Sequence, residues 1–156
     1  MKLRDLNLGD IMTVCCDLRS DDWDQVEKFV GKRDVDTLIN QCFNFAGPKW
    51  AFVNEHDIAV VVGGFIPIRA GVYQTWFLVS KRGWSYSEAV TAMAAERLDF
   101  MMKNGAHRLE TLCLASRKKA LTWYGMIGLE FEATLKRFCV DGSDAVLYVR
   151  VSDVPA

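Results

Sequence analysis

The sequence predicts an α/β (α+β) fold: one domain of 156 residues with a mixed central sheet of about seven strands and helices on both faces. Three observations carry that expectation. Apolar spacing changes from a three-four period to short β-rich runs at Trp50 and returns to a helical period at Tyr86. Ile58-Ala59-Val60-Val61-Val62 is apolar on both faces, as a central strand covered on both sides must be. Single helices then separate the later strands, an order that gives one mixed sheet.

Lys2 to Leu8 alternates and reads as the first strand, and Asp10 or a neighbour caps a helix running to Leu18. Ser20-Asp21-Asp22 is a cap-like start before Trp23, Val26, Phe29 and Val30, so a second helix ends at Gly31. A third, Asp34 to Phe45, carries Val35, Leu38, Ile39, Cys42 and Phe45 on one face, and Gly47-Pro48 closes it. Trp50 to Val53, Ile58 to Phe65 and Val72 to Val79 form an antiparallel meander, broken by Asn54 to Asp57 and by Pro67 to Gly71. Gly63-Gly64 predicts a bulge or a close backbone approach.

A long helix from Tyr86 to Asn104 follows, with Ser85 as N-cap, Glu88 completing a capping box and Gly105 past its end. Leu109 to Ala115 is a buried strand and Arg117 to Ile127 a helix. Phe131 to Phe138 and Ala145 to Val151 form a terminal hairpin over Asp141-Gly142-Ser143-Asp144.

Bulk composition narrows the function classes. Nineteen basic against twenty acidic residues leave a net charge of −1, so no global field gathers nucleic acid or an anionic membrane, and neither is expected as a partner. No window approaches the length of a membrane span and the N-terminus lacks a signal-peptide core. Five cysteines without C-x-x-C spacing read as reduced thiols in a cytoplasmic protein. His56 and His107 stand alone without ligand-spaced partners, so no metal is expected.

The sharpest motif is Ala120-x-x-Trp123-Tyr124-x-x-x-Gly128-Leu129-Glu130. Ala120, Tyr124 and Gly128 fall on adjoining turns of one helix, and Gly128 lets the chain turn into the next strand. The run, the element order and the length resemble the GNAT acyltransferase superfamily, whose late helix reads Asn-x-x-Ala-x-x-Leu-Tyr-x-x-x-Gly-Phe. Gln74 to Ser80 and the Trp123-Tyr124 pair look more narrowly like the GNAT-like proteins of tailed bacteriophages, some of them internal virion or ejection proteins.

The superfamily resemblance implies a cleft between the fourth and fifth strands that splays to admit acetyl-CoA as co-substrate. Backbone groups of Phe77, Leu78 and Val79 would hold the pantetheine arm and polarise the thioester carbonyl. The diphosphate would sit on amides of the next loop, where Arg82, Gly83, Trp84, Ser85, Tyr86 and Ser87 stand; the family pattern Arg/Gln-x-x-Gly-x-Gly/Ala aligns as Arg82-x-x-Ser85-x-Ser87. Arg117 replaces the family's asparagine at the mouth of the same cleft. Tyr124 matches the tyrosine that protonates the departing thiolate, and Glu110, on the fifth strand, is the candidate base for the acceptor amine. Each has a plainer reading beside it: Ser85 as a helix cap, Trp123 and Tyr124 as core aromatics, Glu110 as a solvent-facing strand residue.

Two functions follow from the resemblance. One is an N-acetyltransferase that moves an acetyl group to the primary amine of a protein or small molecule by direct attack. The other is a catalytically degenerate phage protein, active in the host cytoplasm or the virion through contacts with virion proteins; both serines and Arg117 favour it. Asp17, Asp21, Asp22 and Asp24 either attract a cationic acceptor or form a solvated acidic face. Trp50, Trp76 and Trp84 stand near the meander and the loop as core, interface or acceptor lining. A homodimer through the Val60 to Phe65 strand or the terminal hairpin is a further expectation.

Overall fold

The computed structural model describes residues 1–153. In chain order these form β1 (Lys2–Asp5), α1 (Leu8–Cys15), α2 (Ser20–Val30), α3 (Val35–Asn44), β2 (Lys49–Val53), β3 (Ala59–Arg69) and β4 (Val72–Val79). A 3-10 turn over Arg82–Tyr86 leads into α4 (Ser87–Lys103), followed by β5 (Arg108–Leu114), α5 (Lys118–Met126), β6 (Glu130–Leu135) and β7 (Ala145–Val151). The seven strands make one sheet in the order β1-β2-β3-β4-β5-β7-β6. Every pairing is antiparallel except β4 with β5.

β3 lies inside the sheet, and Ala59 through Phe65 are all buried, as the two-sided apolar run predicts. One face packs Phe52, Val61, Phe65 and Val79 against Val90, Met93, Leu98 and Met101 of α4. The other packs Ala51, Val53 and Val62 against Ile11, Val14 and Cys15 of α1 and Leu38, Ile39 and Cys42 of α3. Strand side chains alternate between faces, so β2 and β4 give alternate residues to the two cores, while in β3 both Val60 and Val61 join the α4 core.

At Gly63-Gly64 the close approach holds and the bulge does not, because β3 pairs with β4 in unbroken register there. A Cβ on Gly63 would stand 2.7 Å from a Trp50 ring carbon and 2.8 Å from the Trp76 carbonyl oxygen. The irregularities fall instead between Phe52 and Val53 and between Pro67 and Arg69. The latter lets β3 carry Pro67 and continue to Arg69, past the expected end at Phe65.

Other boundaries move for identifiable reasons. Asn7 caps α1, accepting from Asp10 N at 2.9 Å, while the Asp10 carboxylate accepts from Asn7 N at 3.2 Å. Ser20 lies inside the first turn of α2, whose N-cap is Arg19. The capping box at Ser85 and Glu88 does not form: Ser85 sits within the 3-10 turn and Tyr86 is the N-cap of α4, without a side-chain bond. β6 stops at Leu135 because the chain turns at Arg137, which has φ 54° and donates its N–H to Asp144 Oδ1. The three tryptophans separate: Trp50 joins the α4 core, Trp76 stacks on Phe45 on the other face, and Trp84 leaves the meander for the 3-10 turn.

The packing at Gly63 predicts that Gly63→Ala overpacks the sheet and costs about 1–3 kcal/mol. A urea titration should show a lower midpoint with an unchanged slope.

Candidate functional site

The site begins where β4 and β5 part. Their parallel pairing covers only Val72↔Arg108, Tyr73↔Leu109 and Gln74↔Glu110. Thr75 closes the fork by donating its hydroxyl to the Glu110 carbonyl at 3.0 Å. Beyond that point each strand keeps its outer partner, β3 or β7, and has none on the inner side.

The ladders fix which backbone groups face the gap. Ser80 N donates to Val60 O at 3.0 Å, and regular alternation from there turns the N–H and C=O of Leu78 to β3. Those of Phe77 and Val79 therefore face the fork. Leu78 thus does not hold a ligand through its backbone, and its side chain packs on the α1 and α3 face. On the other strand Ala115 N donates to Asp144 O, which leaves Leu112 and Leu114 facing the fork. Gln25 of α2 reaches in, its Oε1 accepting from Leu114 N at 3.1 Å.

A cavity of about 700 Å³ fills the fork, walled by Phe77, Val79, Leu114, Trp84, Trp123 and Tyr124. α2 lies across its mouth and is held on both sides. Arg19 stacks over the Trp84 ring at 4.6 Å, and Arg117 Nη2 donates to Asp22 Oδ1 at 2.7 Å. Trp84 and Trp123 meet edge to face at 5.9 Å, and the same pair walls a shallower groove of about 530 Å³ between α4 and α5. Trp123 Nε1 donates to Thr91 Oγ1 at 2.9 Å, which locks α5 to α4.

Tyr124 lies in this wall between Trp123 and Tyr148, with ring centroids 5.9 and 5.8 Å away. Its phenol is held above the ordinary tyrosine value by burial and then by Cys113, with Arg117 pulling the other way. Tyr124 is a proton holder there. Burial alone would weaken the Arg117 cation, but the charge and hydrogen bond of Asp22 outweigh it and the guanidinium stays protonated. Burial also raises the Cys113 thiol, which leaves it a packing group.

The turn after β4 departs from the expected phosphate cradle. Lys81 N donates to Asp17 O at 2.7 Å, Arg82 N to Asp17 Oδ2 at 3.2 Å and Gly83 N to Ser80 Oγ at 2.9 Å. The leading N–H groups of the turn are therefore occupied from within the chain. Gly83 is required by packing, since a Cβ there would meet Val60 O at 2.6 Å. The Tyr86 hydroxyl donates to Glu55, and Ser85 and Ser87 are exposed outside the main cavity, Ser87 on the shallow groove.

Of the residues singled out from sequence, the fold brings Phe77, Val79, Trp84, Arg117 and Tyr124 together. Glu110 is not among them. It pairs across the joined part of the fork, and its carboxylate accepts from Arg108 Nε at 2.7 Å, with the same guanidinium bound to Glu132. An ion-paired glutamate outside the cavity does not serve as a base within it. Sequence reasoning missed Arg19, Gln25, Lys118 and Lys119, and placed Asp22 in an acidic row that either attracts a cationic acceptor or is solvated, without its ion pair to Arg117. The only signal was the opposite charge of Asp22 and Arg117, 95 residues apart.

No protein-family model and no curated protein sequence matches the chain. Solved structures do. A spermidine N-acetyltransferase variant from Vibrio cholerae superposes with a TM-score of 0.71 at 14% identity, covering 97% of this chain and 95% of that one. A proposed phosphinothricin N-acetyltransferase gives 0.73 at 12% identity, covering 98% and 99%. A proposed acetyltransferase from Acinetobacter baylyi gives 0.73 at 15% identity, covering 99% and 94%. The chain has the GNAT fold of these structures. Among the described residues no helix is long and apolar enough to cross a membrane.

Two outcomes follow from the site's geometry. Asp22→Ala leaves the Arg117 charge buried and should cost about 3 kcal/mol, whereas Asp22→Leu combined with Arg117→Met should recover most of it in a double-mutant cycle. The folded protein also holds the Tyr124 proton more tightly than the unfolded chain. Its contribution is therefore full below about pH 10 and is lost as pH rises above that. Ultraviolet difference titration should show a late phenol that Tyr124→Phe removes.

Proposed function

We propose that the protein is an N-acetyltransferase that uses acetyl-CoA and a primary amine. The observation that carries this reading is the cavity in the β4/β5 fork, with two unpaired strand edges on its flanks and a protonated tyrosine in its wall. The fold of the N-acetyltransferases named above supports it.

The cavity suits the acyl and pantetheine end of such a co-substrate, which supplies an activated thioester when bound. Phe77 and Val79 offer backbone N–H donors on the fork side for amide and thioester carbonyls. The Trp84 and Trp123 rings exclude water from the reacting end. The amine nitrogen forms a bond to the acetyl carbon as the carbon–sulfur bond breaks. Tyr124 gives its phenolic proton to the leaving sulfur, and the proton lost by the amine passes to water, from which the phenolate is reprotonated. Burial keeps this phenol protonated at neutral pH and also makes it a weaker acid than an ordinary tyrosine, so it donates only to a sulfur that is gaining charge beside it.

The diphosphate is the part the chain receives differently. With the N–H groups of Lys81, Arg82 and Gly83 taken by Asp17 and Ser80, its charge falls to other groups, of which Lys118 and Lys119 are the cations on the cavity rim. The same occupancy favours the second reading, a phage GNAT-like virion or interaction protein that keeps the scaffold without binding the co-substrate.

Thermal unfolding with acetyl-CoA separates the two. A concentration a hundredfold above the dissociation constant should stabilise the enzyme by about 2.7 kcal/mol, and an unchanged midpoint at millimolar acetyl-CoA would leave the interaction protein. If binding is seen, Tyr124→Phe should lower turnover far more than acetyl-CoA affinity; equal losses would make Tyr124 a packing residue.

A further inference from the structure

The Arg117 side chain is only 14% exposed, yet its hydrogen bonding is incomplete. Nη2 serves Asp22 at 2.7 Å and reaches Asp21 at 3.5 Å. Nε is shut off from water without a partner, and Nη1 has none among the described residues. Nε is closed to a ligand atom as it is to water, so Nη1, idle on a side chain that lines the cavity, is the donor that an acceptor arriving with a ligand can reach.

The charges around it select that ligand. With Lys118 and Lys119 given to the diphosphate, the acceptor meets Arg19 and Arg117 against Asp21, Asp22 and Asp24. Asp21 and Asp22 are already engaged by Arg19 and Arg117. Asp24 has no ion pair or hydrogen bond among the described residues. A polyamine finds one unengaged carboxylate, Asp24, and brings its remaining positive charges against Arg19 and Arg117. An amine that also carries a carboxylate matches it, with the carboxylate on the free edge of Arg117 and the amine end toward Asp24.

We infer that the acceptor is a zwitterionic, amino-acid-like amine and that Arg117 receives its carboxylate. This rests on the acetyl-transfer reading above and specifies the substrate class of that site. Arg117 thereby acts as a specificity residue, and the Asp22 ion pair is what aims it.

The test compares each of several free amino acids with its own carboxamide, with spermidine alongside, following thiol release from acetyl-CoA by the full chain. Amino acids should exceed their amides in kcat/KM by about tenfold or more, the scale of one charged hydrogen bond, and spermidine should be the poorest acceptor. Arg117→Met paired with Asp22→Leu, which avoids an unpaired buried charge, should erase the preference and leave the KM for acetyl-CoA within about twofold, an acetyl-CoA contact being worth more than that. Preference for spermidine or for the amides overturns the inference. So does a loss that falls on the acetyl-CoA KM, which would make Arg117 a receptor for the co-substrate's phosphate. Thiol release that no amine raises above the acetyl-CoA blank would instead sink the acetyl-transfer reading. The carboxylate claim is then decided by calorimetry of amino acid against amide without acetyl-CoA, where equal heats overturn it.

Discussion

The structure depends on how early β4 and β5 stop pairing. Three residue pairs join them, and then both strands run on with their inner edges open. Backbone N–H and C=O groups cannot be buried unpaired without a cost of about 1–3 kcal/mol each, so an open fork persists only if water, side chains or a ligand meet those edges. Here Thr75 closes the base, Gln25 takes one amide of β5, and a cavity stands where the rest of the ladder would be. The loop after β4, the start of α5 and the whole of α2 are arranged around that gap.

α2 shows how the gap is kept in shape. None of its residues is fully buried, so its position comes from specific contacts more than from core packing. Arg19 on Trp84 ties it to the β4 side, and Gln25 and Asp22 tie it to the β5 side. The helix therefore bridges the two sides of the fork, and Asp21, Asp22 and Asp24 stand on the cavity.

Much of the fold was legible because each element is locally consistent: the two-sided apolar run of β3, the amphipathic α3 and the helical period of α4 all agree with where they pack. The Ala120, Tyr124 and Gly128 spacing correctly located α5 and its tyrosine. What sequence could not supply was anything set by partners distant along the chain. Glu110 looks free in sequence and is bound by Arg108 and through it to Glu132. Ser85 has the pattern of a cap, but the 3-10 turn runs straight into α4. Asp17 sits in a loop after α1, yet it occupies the amides of a turn more than sixty residues later. Leu78 was misplaced by one residue of strand alternation, which exchanges the fork edge for the β3 edge.

The central claim is that the open edges of the fork are a ligand site. Amide hydrogen exchange reports on those edges directly. Adding acetyl-CoA should slow exchange in the segments containing Phe77 to Val79 and Leu112 to Leu114 and leave the β1/β2 edge unchanged. Protection that appears elsewhere, with the fork amides exchanging as before, would contradict the account.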